Sequence, residues 1–144
     1  MLLGTLCCAA DHETGLRLPP EFRAELAAGL VITRGIERCL YVFPIDTWDE
    51  LVQKMRRRLQ LTNRTARDFT RLMFSSALTC TPDGGGRIPL PDDLREYAGI
   101  EHRAVAVGLH THIEVWDADR WEEMNEQIAR EALEIAERLG EQGI

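Results

Sequence analysis

No run of about 18 apolar residues occurs in this 144-residue chain, so no segment reads as a membrane-spanning helix. The opening MLLGTLCCAA is apolar but lacks the basic flank of a signal peptide, and Asp11 and Glu13 follow it. The expected compartment is the cytoplasm. No CxxC pair exists among Cys7, Cys8, Cys39 and Cys80, which removes the commonest zinc spacing. These cysteines read as small apolar residues, and neither a metal nor a cofactor is expected. The glycine-rich segment at 83–87 lacks the GK[ST] ending of a Walker-type phosphate loop. Thr111-His112 has no nucleophile-elbow context, and His102, His110 and His112 read as residues of solvent-exposed turns. No pair of acids stands apart from the background, so an enzyme is not expected.

Basic charge is also scarce: the formal net charge is −7. The deficit is uneven. Residues 1–49 carry four basic and seven acidic groups, whereas residues 50–74 carry seven basic and two acidic. Residues 75–119 and 120–144 are again acidic, at −5 and −4. A basic stripe inside an acidic chain can still bind a polyanion, so total charge does not exclude nucleic acid.

What the chain does contain is an internal repeat. At an offset of 72, Leu6 falls on Leu78, Cys8 on Cys80, Asp11 on Asp83, Leu16 on Ile88 and Leu18 on Leu90. Pro19 then meets Pro91, Phe22 meets Leu94 and Arg23 meets Arg95. At an offset of 73, Leu40 meets Ile113, Val42 meets Val115, Phe43 meets Trp116, Asp46 meets Asp119 and Trp48 meets Trp121. So many matches in one order mark a duplication.

Each copy reads alike. A short alternating strand (Leu6 and Cys8, or Leu78 and Cys80) enters a polar turn, and a second strand leaves it with Leu16 and Leu18, or Ile88 and Leu90, on one face. Prolines then open short helices over 20–28 and 92–98, where a missing N–H is harmless. Further strands are predicted at 30–34 and 39–43, and at 104–108 and 112–116. Amphipathic helices close the copies, with capping-box spacings at Thr47–Glu50 and Asp119–Glu122. Thr62 is expected to start a connecting helix. The expected division is a first unit over 1–49 whose closing helix runs to about 59, a basic helical connector over 50–74, a second unit over 75–122 and a C-terminal helix over 123–144. No long Gly/Ser/Pro linker separates the halves, so one shared core is expected.

The turn Asp83-Gly84-Gly85-Gly86-Arg87 is the most distinctive local feature. Glycines permit the positive φ of a tight hairpin, and the Asp carboxylate can accept from turn amides. The Arg then begins the outgoing strand, where its planar fork suits a phosphate or a guanine edge. A plain Asp–Arg salt bridge tightening the hairpin would use the same residues.

The tandem layout, DGGGRIPLP with its counterpart LRLPPEFR, the VITRG and CLYVFP segments and the stretch TNRTARDFTRLMFSSA together resemble the MraZ family. The similarity runs from about residue 1 to 125. The resemblance implies an α+β fold of two tandem pseudo-symmetric SpoVT-AbrB units, each a swapped-hairpin or double-split β-barrel with flanking helices. It implies a sequence-specific DNA-binding transcriptional regulator of the division and cell-wall gene cluster, most simply a repressor. It further implies a cytoplasmic, nucleoid-associated, ring-shaped homo-oligomer on double-stranded promoter repeats, without a membrane partner. An antitoxin role, known for related barrels, fits a duplicated chain less well.

A D-x-x-G-R turn that presents its arginine to DNA is part of that implication. Asp83, Gly86 and Arg87 match it residue by residue. In the first copy Asp11 matches, but Thr14 stands in the glycine position and Gly15 in the arginine position. Arg17 lies two residues on, and alternate residues of a strand share a face, so it is the candidate replacement. The expected DNA-binding residues are Arg87, Asp83, Gly86 and Arg17. Arg56-Arg57-Arg58 and the ridge Arg64, Arg67, Arg71 could line a path for DNA; equally they could form a solvated helix face, or pair with the acidic C-terminal helix of a neighbouring subunit, and the structural or subunit-pairing reading is preferred. An assembly module of the same fold without DNA binding is the alternative function.

Overall fold

The computed structural model describes residues 1–144, and the duplication is visible in its element order. In the first copy β1 (Leu2–Asp11) and β2 (Gly15–Arg17) flank the first turn, followed by α1 (Pro20–Leu26), β3 (Leu30–Arg34), β4 (Leu40–Pro44) and α2 (Ile45–Arg58). Helix α3 (Arg64–Phe74) connects the copies. The second copy repeats the series as β5 (Leu78–Cys80), β6 (Arg87–Ile88), α4 (Asp92–Ala98), β7 (Arg103–His110), β8 (Ile113–Asp117) and α5 (Ala118–Arg130), and α6 (Ala132–Glu141) ends it.

All eight strands join one antiparallel sheet in the order β5-β3-β4-β8-β7-β1-β2-β6. The two outer strands, β5 and β6, are arms of the same Asp83 turn, so the sheet nearly closes into a barrel. The resemblance implies a barrel in each unit; the strand exchange instead occurs between the units, and together they form a single barrel. β1 of the first copy pairs with β7 of the second from Leu2↔His110 to Ala9↔Arg103. Reciprocally, β5 of the second copy pairs with β3 of the first. Equivalent strands meet in the β2–β6 and β4–β8 ladders, which places the pseudo-twofold relation there. The physical reason is edge satisfaction: in either copy alone, the first strand would lose its partner in the other copy's third strand, and one edge of each third strand would stand open.

One core results. Leu16, Leu18, Phe22, Leu26, Leu30, Ile32, Leu40 and Val42 pack with their repeat mates Ile88, Leu90, Leu94, Ala98, Ile113 and Val115 in one buried cluster. Burying each large side chain of this kind contributes about 1.5–3 kcal/mol relative to exposure. Helix α3 is pinned onto β3 by polar contacts: the Thr33 hydroxyl donates to the Met73 carbonyl, and Arg34 Nε donates to the Leu72 carbonyl at 3.1 Å.

The structure departs from the sequence reading at element ends. β1 is a ten-residue strand, because β7 offers it a partner along its length. Helix α2 starts at Ile45 directly after Pro44, so Thr47 lies inside the helix and forms no cap. Helix α5 is capped by Asp117, whose Oδ2 accepts from the Arg120 N–H at 3.3 Å, two residues before the expected Asp119. Helix α3 starts at Arg64 behind Asn63, whose side chain accepts from the Ala66 N–H, rather than at Thr62. The single C-terminal helix expected is two, interrupted at Glu131, where the backbone leaves helical geometry at φ −95° and ψ 6°.

Candidate nucleic-acid interface

The second turn is built on the Asp83 carboxylate. Its Oδ1 accepts from the N–H groups of Gly85 and Arg87, each at 2.9 Å, while the Gly86 N–H donates to the Asp83 carbonyl at 2.9 Å. The donation by the Arg87 N–H, followed by that of Gly85, holds the Asp83 carboxyl below its ordinary value. Gly86 sits at φ +78°, which a β-carbon would strain. The side chain of Arg87 is exposed and lies outside salt-bridge distance of Asp83, so the hairpin is tightened chiefly by backbone amides donating to the Asp83 carboxylate.

The first turn uses the same device differently. Asp11 Oδ1 accepts from Glu13 N–H at 2.7 Å and Thr14 N–H at 3.2 Å, which lowers the Asp11 carboxyl in the same way. Here the positive-φ residue is Gly15, at +81°, one place later than Gly86 in the repeat. Gly15 therefore takes the conformation of Gly86 and the strand position of Arg87. A β-carbon on it would lie 2.1 Å from the Ile88 carbonyl oxygen, so this position excludes an arginine sterically.

The strand that leaves the first turn pairs with the strand that leaves the second. In the β2–β6 ladder Leu16 is opposite Ile88, both buried, and Arg17 is opposite Arg87, both exposed. Directly opposed residues share a face. The structure thus brings Arg17, Asp83, Gly86 and Arg87 into one region, although Arg17 and Arg87 come from different copies. Beside them runs an open cleft of about 440 Å³, lined by His12, Glu13, Thr14 and Gly15 from one turn and Asp83, Arg87 and Pro89 from the other side.

The basic ridge is engaged elsewhere. Arg64 and Arg71 pair with Asp68 of their own helix at 3.7 and 3.1 Å, and Arg67 Nη1 donates to the Leu61 carbonyl at 2.9 Å. These contacts favour the structural reading of that ridge; Arg56, Arg57 and Arg58 are exposed. His112 is not the exposed turn residue expected. It is half-buried, stacked on Phe43 with centroids 5.1 Å apart and edge-on to Tyr41, and burial pushes its imidazole below its ordinary value. Sequence reasoning also passed over Arg23, whose guanidinium lies against Gly86. The Arg23–Arg95 match in the repeat was the available signal.

One barrel interleaved from two strand–turn–helix copies, with both turns bordering one cleft, defines a duplicated barrel protein. The family model described as "MraZ protein, putative antitoxin-like" matches it twice, over residues 1–72 and 73–141. The "Transcriptional regulator MraZ" of Thermobifida fusca is 40% identical over 139 residues, 96% of each chain. That of Alkaliphilus metalliredigens is 38% identical over 144 residues, 100% of each, and that of Frankia casuarinae 42% over 139 residues, 96% of each. The chain belongs to the MraZ family, whose members named here are regulators of transcription.

Proposed function

We propose that this protein is a sequence-specific DNA-binding regulator of transcription whose contact surface is centred on Arg17 and Arg87. The observation that carries the reading is their placement: two exposed guanidiniums, opposed on one ladder, neither within salt-bridge distance of a carboxylate. Like charges directly opposite cost stability, so such a pair is best accounted for by an anion that neutralises it. The Asp83–Gly86 frame fixes the start of the strand that carries Arg87, limiting the ordering cost when DNA binds. Arg17 replaces the arginine that position 15 cannot hold.

The relatives' names extend to this chain as a regulatory role, and the family resemblance supplies the finer terms. The protein represses the division and cell-wall gene cluster, binding promoter repeats as a ring-shaped homo-oligomer at the nucleoid, in the cytoplasm. Repeated weak contacts by several subunits would add through effective concentration. The exposed apolar residues Ile128, Leu133, Ile135 and Leu139 on α5 and α6 suit contact with neighbouring subunits. The test is a gel shift of the full chain on the duplex upstream of its own gene, at two salt concentrations. Discrimination over an unrelated duplex, with binding that weakens steeply in salt, is expected; equal binding to both duplexes contradicts sequence specificity.

A second reading, an assembly module without DNA binding, is favoured by Gly15 in the motif position and by the net charge of −7. It predicts an intact oligomer and no shift of either duplex.

A further inference from the structure

We infer that Arg23 is a positioning residue, seated by the first copy beneath the turn of the second so that Arg87 is held in its DNA-facing pose. The inference rests on the DNA-binding reading of Arg87. Arg23 projects from α1 and is half-buried, with no carboxylate in salt-bridge range. Its Nε donates to the Leu18 carbonyl at 3.1 Å, and the Leu18 N–H donates to the Gly86 carbonyl at 2.8 Å. The guanidinium therefore grips the strand end to which the turn itself is bonded. A β-carbon on Gly86 would lie 2.2 Å from Arg23 Nε and 2.6 Å from its Cζ. The motif glycine thus has two duties: it supplies a φ of +78°, and it clears the seat for a guanidinium from the other copy.

The repeat contains its own control. Arg95 is the counterpart of Arg23, and Thr14 is the counterpart of Gly86. With a side chain at position 14, the arginine on that side is differently placed: Arg95 Nη1 donates to the carbonyls of Ile100 at 3.3 Å and Glu101 at 2.9 Å. Its Nε and Nη2 are buried with no hydrogen-bond partner, a state that costs free energy. Seat and presented arginine occur together in the second turn. The first turn holds no arginine at the motif position, and the hydrogen bonds of its neighbour Arg95 run to the segment after α4 instead.

The test uses the full chain carrying Arg23→Ala, with Arg23→Met as a second variant that keeps the apolar stem and removes the donors. Affinity for the upstream duplex is measured across a salt series, and amide exchange at Leu18 and Arg87 is followed by NMR without DNA. Expected are a loss of about tenfold in affinity for both variants, typical of coupled neighbours, an unchanged salt slope, and faster exchange at both amides. A slope reduced by about 0.9 would mean that Arg23 contacts a phosphate itself and would overturn the positioning role. Unchanged affinity together with unchanged exchange would also overturn it. Should the wild-type chain bind no DNA while exchange still accelerates in the variants, the seat stands and only the DNA reading of Arg87 falls.

Discussion

Arg17 of the first copy and Arg87 of the second are opposed partners on the β2–β6 ladder, both exposed, above the buried pair Leu16 and Ile88. Two cations in direct opposition repel, and the fold tolerates this on a short ladder next to both turns. Each arginine is therefore expected to trade stability against binding. Arg17→Ala or Arg87→Ala should leave the fold equally stable or stabilise it by up to about 0.5 kcal/mol in urea denaturation. The same substitutions should weaken binding to the upstream duplex, by roughly 1–3 kcal/mol where the arginine reads a base edge. Loss of binding accompanied by unfolding would assign these residues to structure instead.

Restoring the motif arginine in the first turn should fail. Gly15→Arg places a side chain at φ +81° and a β-carbon 2.1 Å from the Ile88 carbonyl oxygen. A destabilisation of about 1–3 kcal/mol or more is expected from strain of this kind. Denaturant midpoints of the variant and the parent measure it. A variant as stable as the parent would show that the β2–β6 junction can shift, and that the asymmetry of the turns has another origin.

Asp83 makes the hairpin resistant to mild acid. Its carboxyl is depressed in the folded state, chiefly by the Arg87 N–H and then by that of Gly85. A depressed carboxylate contributes fully above its unfolded value and is lost only as pH falls through the lower folded one. The amide resonances of Gly85 and Arg87 should hold their positions down to about pH 4 and move below it. In Asp83→Ala they should lose protection at neutral pH as well.

His112 gives a pH dependence of the opposite origin. Burial against Phe43 and Tyr41 lowers its imidazole, so the folded chain holds it neutral where the unfolded chain is already protonated. Stability is then complete above the ordinary histidine value and falls as pH drops from there toward the folded one. The thermal midpoint should decline between about pH 7 and pH 5.5, and His112→Phe should flatten that decline. An equal decline in the variant would place the titration on other groups.

Much of this molecule was legible because a duplication states the same pattern twice. Pro19 over Pro91 and Trp48 over Trp121 fixed the element order, and the alternation of Leu16 and Leu18 gave the buried face of β2. The exchange of strands between copies was not legible, because β1 and β5 carry no local mark of whether their partner lies in the same copy. Helix starts were misplaced for a related reason: Thr47 has capping spacing, but the chain already turns helical at Ile45. At the site, Arg17 follows from the motif that the resemblance implies together with strand periodicity. Its meeting with Arg87 does not, since that depends on the β2–β6 register. Arg23 carries no local mark of its contact, which depends on an absent β-carbon 63 residues away, at Gly86.

The central claim is that two copies contribute one arginine each to a single DNA contact, and a double-mutant cycle on Arg17 and Arg87 tests it most directly. Affinity of the full chain for its upstream duplex is measured for both single Ala variants and the double variant, at fixed salt. Adjacent guanidiniums serving one contact should give losses that depart from additivity by about 0.5 kcal/mol or more. Strictly additive losses, or full affinity in the double variant, would contradict the claim.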